Sequence, residues 1–283
     1  MQDAPPPGAR PRGLLRGKAV RLALAVLLVV MLLALLAPWI ATHDPLRLSP
    51  AVRLQSPSWA HLMGTDALGR DVFSRVVYGA RVSLIVGAGV ALCSVVLGLV
   101  IGVLAGWFRW VDAVVMRVMD GLMAIPGILL AIALVALVGG GLVTVVLAIM
   151  VPETPRVVRL VRSTVLAART EPYVEAAVSL GTPWPSLLAR HLVPNAWAPL
   201  TVQGTFILAS AMLTEAAMSF LGVGLPPEIP SWGGVMADGR SYFMLKPSLI
   251  YLAGGLLAAT VLSVNLLGDA LRDALDPKLA RRL

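Results

Sequence analysis

The chain has 283 residues, of which 58% are apolar and only 13% charged, with 23 Lys+Arg against 15 Asp+Glu. A soluble domain averages roughly 45–50% apolar and about 25% charged, so too little charge remains here to clothe a water-facing surface. Intrinsic disorder and nucleic-acid binding are excluded as well, because the basic residues lie scattered between long apolar runs and form no single patch. One cysteine, Cys93, inside an apolar run, excludes a disulfide scaffold.

Crossing a hydrocarbon layer of roughly 30 Å takes about 20 apolar residues in a helix. Residues 1–15, rich in Pro and Arg, read as a disordered cytoplasmic tail. The first uncharged run is Leu22 to Thr42; it is too long for the core of a cleaved signal and lacks a small-residue cleavage site, so it reads as an anchor. Val82 to Phe108 is the second run. The uncharged stretch from Gly121 to Pro152 is broken by Gly139-Gly140-Gly141, which predicts two spans over 121–138 and 142–160. A fifth run covers Leu192 to Thr214 and continues past Glu215 to Leu221, and the last is Pro247 to Gly268.

The expected fold is therefore an all-α polytopic membrane protein with six transmembrane helices. Its expected parts are the tail (1–15), a first span with an external segment (16–81), a five-helix core (82–268) and a C-terminal tail (269–283). With the N-terminus inside, sixteen Lys and Arg fall in inside segments (Arg10, Arg12, Arg16, Lys18, Arg21, Arg109, Arg117, Arg156, Arg159, Arg162, Arg169, Arg190, Arg272, Lys278, Arg281, Arg282). Seven fall outside (Arg47, Arg53, Arg70, Arg75, Arg81, Arg240, Lys246). The positive-inside bias places both termini in the cytoplasm.

The segment between the fourth and fifth spans, near 170–195, carries the densest punctuation. Pro172 suits a helix's first turn and Gly181 a helix's end. Thr182 can cap a second helix with Pro183 in its first turn and Pro194 just beyond its end. Two short helices joined at a glycine offer a compact shape to a partner's groove, and the first is small-faced at Ala176 and Ala177. An ordinary inter-helix linker satisfies the same signals.

Glu215 is the one charge well inside the fifth apolar run, and intramembrane carboxylates usually face a bundle interior or a watery cavity. It reads first as a near-interface residue paired with backbone or a partner subunit, and second as a pathway residue; Glu153 is a further pathway candidate. In the external segment, Asp66–Arg70 and Asp71–Arg75 have i,i+4 spacing, which predicts a solvated or interfacial helix with two weak pairs. Gly98, Gly102 and Gly106 form a small-residue ridge suited to close helix packing, within the chain or against a second subunit. His43, His61, His191 and Cys93 suggest no metal set, and no cofactor is predicted.

The residues Glu175-Ala176-Ala177, three further residues, Gly181, and then Val193-Pro194 resemble the EAA motif of permease subunits in binding-protein-dependent ABC importers. His191 and Val193 stand where that motif has Ile and Leu. Arg190-His191 with Pro194-Asn195 is similar to the branch that imports dipeptides, oligopeptides and nickel. His61 to Leu84, Ser219 to Gly233 and Asn265 to Leu279 resemble segments of the C-type permease of those importers, in the same order.

The resemblance implies that the EAA loop, through Glu175, Ala176, Ala177, Gly181, His191 and Pro194, couples to ATPase subunits. It also implies a second permease as heterodimer partner, two cytoplasmic ATPase subunits, an external substrate-binding protein, and a place in the plasma (cell inner) membrane. The chain itself contains no G-x-x-x-x-G-K-[S/T] phosphate loop, so it is not expected to be an enzyme. A stand-alone secondary transporter or channel is the alternative. Inverted repeats or more intramembrane charge would favour it, and neither is evident.

Overall fold

The computed structural model describes residues 17–275; the expected tail at 1–15 and the end of the expected tail at 269–283 lie outside the described residues. Among the described residues every long element is a helix, the segments 41–71 and 221–231 are largely turns, and there is no strand beyond one isolated bridge between Thr65 and Asp71. The helices are α1 (Lys18–Leu35), α2 (Ala37–Ile40), α3 (Val72–Trp107), α4 (Arg109–Met123), α5 (Gly127–Val138), α6 (Leu142–Ala168), α7 (Pro172–Ser179), α8 (Trp184–Leu187), α9 (Val193–Phe220), α10 (Trp232–Arg240) and α11 (Ser248–Leu275).

Several of these differ from the predicted spans, each for a local reason. The first run breaks at Leu36 because Pro38, at the start of α2, has no N–H to continue the ladder. α3 starts ten residues before its apolar run, at Val72, because the Asp71 carboxylate accepts the Ser74 amide at 2.9 Å and caps it there. The predicted 121–138 span is replaced by two helices bent by 90°, with Pro126 at the corner. α4 occupies what read as an inside loop, and α5, at 12 residues, is only about 18 Å long.

Among the described residues, four helical stretches are long and apolar enough to cross a membrane: α1, α3, the continuous Trp184–Phe220 stretch, and α11; the bent α4–α5 pair makes a fifth if it is one span. α6 is not among them. Its second half carries Glu153, Arg156, Arg159 and Arg162.

Two buried apolar clusters hold these helices, one drawing on α3, α5, α6, α7, α8 and α9 and the other on α1, α3, α9, α10 and α11. α3 and α9 belong to both and form the spine. The glycine ridge proves to be an internal contact: a Cβ at Gly98, Gly102 or Gly106 would lie 2.4–2.7 Å from Val157, Val161 and Val165 of α6 respectively. The two series rise together, so α3 and α6 run parallel. α9 runs against α3, since Gly87 meets Met212 and Gly204 meets Val95. α11 runs against α9, with Gly268 on Thr205 at one end and, through α10, Gly239 on Leu249 at the other.

The molecule thus has two distinct ends. One holds the segment before α3, the start of α3, α10 and the end of α9. The other holds the ends of α3 and α6 with α4, α7 and α8.

At the first end, the expected solvated or interfacial helix over Asp66–Arg75 is absent. Asp66 closes a turn, its Oδ1 accepting the Leu68 and Arg70 amides at 2.8 and 2.9 Å, while Oδ2 takes Arg70 Nε at 2.6 Å. Arg75 turns away from Asp71, and its Nη2 donates to Asp238 of α10 at 2.8 Å, where Arg70 Nη2 also donates at 2.7 Å. All four residues of that stretch (Asp66, Arg70, Asp71, Arg75) are buried, so what the spacing suggested as a surface helix is an internal clamp between α3 and α10.

Replacing Gly102 by Leu should destabilise the protein by at least about 1–3 kcal/mol, because the added side chain meets the Val158 carbonyl as well as Val161. Gly121→Leu, on α4 with nothing within 4 Å of its Cβ position, should leave the melting temperature in detergent unchanged or raised. Equal melting of the two variants would show that the ridge is not a close contact.

Candidate functional site

The predicted loop is built at the second end. α7 begins at Pro172 and ends in a left-handed residue, Gly181, with φ +76°. The Gly181 amide donates to the Val178 carbonyl at 2.9 Å and the Thr182 amide to the Ala177 carbonyl at 3.1 Å, the paired bonds that close a helix with a glycine at this position. Nothing lies within 4 Å of a Cβ at Gly181, so the requirement for glycine comes from backbone conformation alone.

Beyond Gly181 the chain departs from the expected pair of short helices. Thr182 caps nothing; Pro183 is the residue before α8. Pro194 does not stop the helix but sits in the first turn of α9, because a π-helical turn over Leu188–Leu192 carries α8 into α9. Where a proline has no amide to give, a wider turn upstream lets the chain continue. His191 lies in that π turn. The loop is therefore one short helix, α7, followed by a helical extension of α9.

Side chains fix α7 to this extension. Tyr173 stacks on His191 with ring centroids 6.3 Å apart, and Asn195 Nδ2 donates to the Tyr173 hydroxyl at 3.0 Å and to the His191 carbonyl at 2.5 Å. Trp184 meets Phe108, between α3 and α4, edge to face at 5.6 Å. Behind it, Arg169 donates to the Gly106 and Trp107 carbonyls at 3.1 and 3.2 Å, where the negative end of the α3 dipole favours a cation. Arg162 pairs with Asp112, Nη2 to Oδ2 at 2.7 Å, and Arg159 Nη2 donates to Asp120 at 2.5 Å, tying α6 to α4.

The aromatic and Asp partners were not singled out from sequence. The spacing of Asp112 and Asp120, two turns apart, opposite Arg159 and Arg162 was the available signal.

The small face splits: Ala177 is buried in the core and Ala176 points outward. Beside Ala176 stand Glu175, Val178 at 51% exposure and Leu180 at 86%, with Tyr173 and Trp184 half exposed. Glu175 has no ion pair among the described residues. Together they make a convex strip of apolar and small residues with one free carboxylate.

The two carboxylates that interrupt apolar runs, Glu153 and Glu215, do different things. Glu153, on α6, accepts Arg156 Nη1 at 3.1–3.2 Å and the Ser210 hydroxyl at 3.0 Å. It lines an open cleft of about 320 Å³ between the α4–α5 corner, α6 and α9, with Met123, Pro126, Pro152, Arg156 and Thr214.

Glu215 is outside that lining. It is fully buried, and its Oε1 accepts hydroxyls from Ser219 and Ser231, each at 2.8 Å. Ser231 in turn accepts the Gly234 amide at 3.0 Å and caps α10, while Ser219 accepts the Leu225 amide at 3.3 Å. Through Oε1, Glu215 therefore ties together both ends of the loop between α9 and α10, and the partners of that oxygen among the described residues are these two serine hydroxyls, while Oε2 has none.

Residues 94–281 match the family described as binding-protein-dependent transport system inner membrane component, and residues 12–57 match the N-terminal transmembrane domain of oligopeptide transport permease C. A probable peptide ABC transporter permease protein of Sinorhizobium fredii is 53% identical over 94% of this chain and 91% of its own length. The dipeptide transport system permease protein DppC of Alkalihalophilus pseudofirmus is 39% identical, covering 93% and 88%. The glutathione transport system permease protein GsiD of Pectobacterium atrosepticum is 40% identical, covering 92% and 87%.

Glu215→Ala would strip two buried hydroxyls of their acceptor and leave a void, costing about 1–3 kcal/mol or more, and the loop over residues 221–231 should become sensitive to limited proteolysis. Glu215→Gln keeps an acceptor oxygen and should stay resistant. Resistance of the alanine variant would show that the loop is held by other contacts.

Proposed function

This chain belongs to the binding-protein-dependent transport system inner membrane component family, and on that basis we propose that it is one permease subunit of an ATP-driven importer of peptides. Relatives named for peptide, dipeptide and glutathione transport support that substrate class. The pathway is shared with a second permease subunit in a heterodimer set in membrane lipid. Two cytoplasmic ATPase subunits supply the energy and an external substrate-binding protein delivers the cargo.

We assign six passages, with both termini in the cytoplasm. The alternation of helix directions supports this: α3 and α6 run parallel, so the chain must return between them, and the bent α4–α5 pair is the segment that lies there. The first passage and external segment then cover 16–81, the core 82–268 and the inside tail 269–283. α6 crosses despite its charges, because the ridge of α3 covers one face and Asp112 and Asp120 neutralise its inner half.

The observation that carries the coupling reading is the α7 strip of Glu175, Ala176, Val178 and Leu180, exposed on one side and held on the other through Tyr173 to His191 and Asn195 at the start of α9, with Trp184 and Arg169 next to it reaching the end of α3. A surface so placed transmits a push from an ATPase subunit to α9, and through the flanking Trp184 and Arg169 to the end of α3. Glu175 offers a carboxylate to a basic group on that subunit. Gly181 sets the angle at which α7 leaves, and His191 with Pro194 stiffens the junction to α9. Glu153, on the cleft wall with Arg156 alongside, is the pathway residue of the two carboxylates, and Glu215 is a structural one.

Gly181→Val places a branched side chain in a left-handed conformation, at a cost of roughly 1–2 kcal/mol, and should tilt or fray α7. In liposomes holding the whole importer, Gly181→Val and Glu175→Lys should lose at least about tenfold of ATP-driven import while ATP hydrolysis continues. Gly181→Asn should retain import, since asparagine visits this conformation readily. Import at the parental rate in both Gly181→Val and Glu175→Lys would refute the coupling role.

A further inference from the structure

His43, His61 and Asp71 are far apart in sequence and read there as unrelated, yet the fold gathers them against the first turn of α3. A ring nitrogen of each histidine and a carboxylate oxygen of Asp71 lie within 4.8 Å of one another. His61 Nδ1 is 2.9 Å and His43 Nδ1 3.9 Å from the same atom, Asp71 Oδ1. The two imidazoles lie side by side, with centroids 4.7 Å apart and planes 30° from parallel. Asp71 is buried and the histidines partly so.

We propose that His43, His61 and Asp71 form a binding site for one divalent transition-metal ion of the zinc class, closing the segment before α3 onto the start of that helix. The chemistry of the donors fits: two imidazoles and one carboxylate suit zinc, nickel or copper, and three protein ligands leave a fourth position for water. Tetrahedral zinc with bonds near 2.0–2.1 Å separates its ligand atoms by about 3.3 Å, and the two measured nitrogen–oxygen distances bracket that value.

The division of labour within Asp71 is the second argument. Its Oδ2 is committed, accepting the Ser74 amide at 2.9 Å, the Ser74 hydroxyl at 2.7 Å and the Thr42 hydroxyl at 3.3 Å. That leaves Oδ1 facing the two rings alone, as a single oriented ligand atom supported by its own hydrogen-bonding shell.

Both histidine backbones are also held. The His43 amide donates to Ser74 Oγ at 3.1 Å. The His61 amide donates to Ser58 Oγ at 3.1 Å, and its carbonyl accepts the Ser58 and Gly64 amides at 2.9 and 2.8 Å. Among the described residues, the competing contact to a ring is Thr42 Oγ1, 3.1 Å from His43 Nδ1. Capture of an ion requires only small rotations of two rings on a fixed frame. The geometry is independent of the transport reading; that reading only puts the site on the external face.

The test is a zinc titration of the full chain, purified in detergent without a polyhistidine tag and stripped with chelator, against a competing chromophoric chelator. The expected result is one Zn²⁺ per chain, weakened at least about tenfold by His43→Asn, which leaves the Asp71 cap intact, and by His61→Asn. Zinc should raise the melting temperature of the parent chain and not that of the His43→Asn variant, and absorption spectroscopy of bound zinc should show two imidazole nitrogens. Zinc affinity equal in parent and both variants, or a zinc environment without histidine, would overturn the site. Should either variant unfold, the parent's stoichiometry and ligand spectrum still decide.

Discussion

The seam between α3 and α6, where three glycines four residues apart receive three valines four residues apart, sets the position of nearly everything else in the bundle. Within a membrane, apolar surface gains little from leaving lipid, so helices associate through close packing and through polar contacts. Glycine supplies the closeness. It lets α6, whose second half carries a glutamate and three arginines, lie flush on the apolar α3. Once that seam is set, Arg162 and Arg159 fall opposite Asp112 and Asp120, and Arg169 reaches the end of α3. α7 then leaves from a base that two long helices share.

At the other end the organising groups are charges turned inward. Asp66, Arg70, Arg75 and Asp238 join the start of α3 to α10, and Glu215 with Ser219 and Ser231 joins the end of α9 to the same helix. The two clusters lock α10 from both sides. Burying charge in this way is costly unless every charge is paired or hydrogen-bonded, and the dense network around Asp66 and Asp71 meets most of that requirement. A rigid outer end and a braced inner end suit a subunit that moves as a body against its neighbours, as the proposed importer requires.

Much of this was legible in the sequence. The apolar runs located every long helix, the ridge was identified as a packing device, and the punctuation at Pro172 and Gly181 delimits α7 as found. The failures share a cause: each depends on what a residue meets across space. Pro126 turns a predicted straight span into a corner, and Pro194, expected to end a helix, is carried by a π turn that local rules do not foresee. Arg75 spurns its i,i+4 neighbour for Asp238, more than 160 positions away. His43 and His61 looked isolated because the chain between them folds back. Glu215 was recognised as unusual, but one of its two hydrogen-bond partners, Ser231, comes from the far end of a loop whose path is not written in its own composition.

If α7 is the surface on which an ATPase subunit acts, a photo-cross-linking amino acid at Leu180, the most exposed apolar residue of the strip, should report it in the fully assembled importer. Irradiation should yield an adduct with the ATPase chain whose yield changes when ATP binds. An ATPase adduct formed from Arg117 of α4 instead, with none from Leu180, would contradict that role for α7.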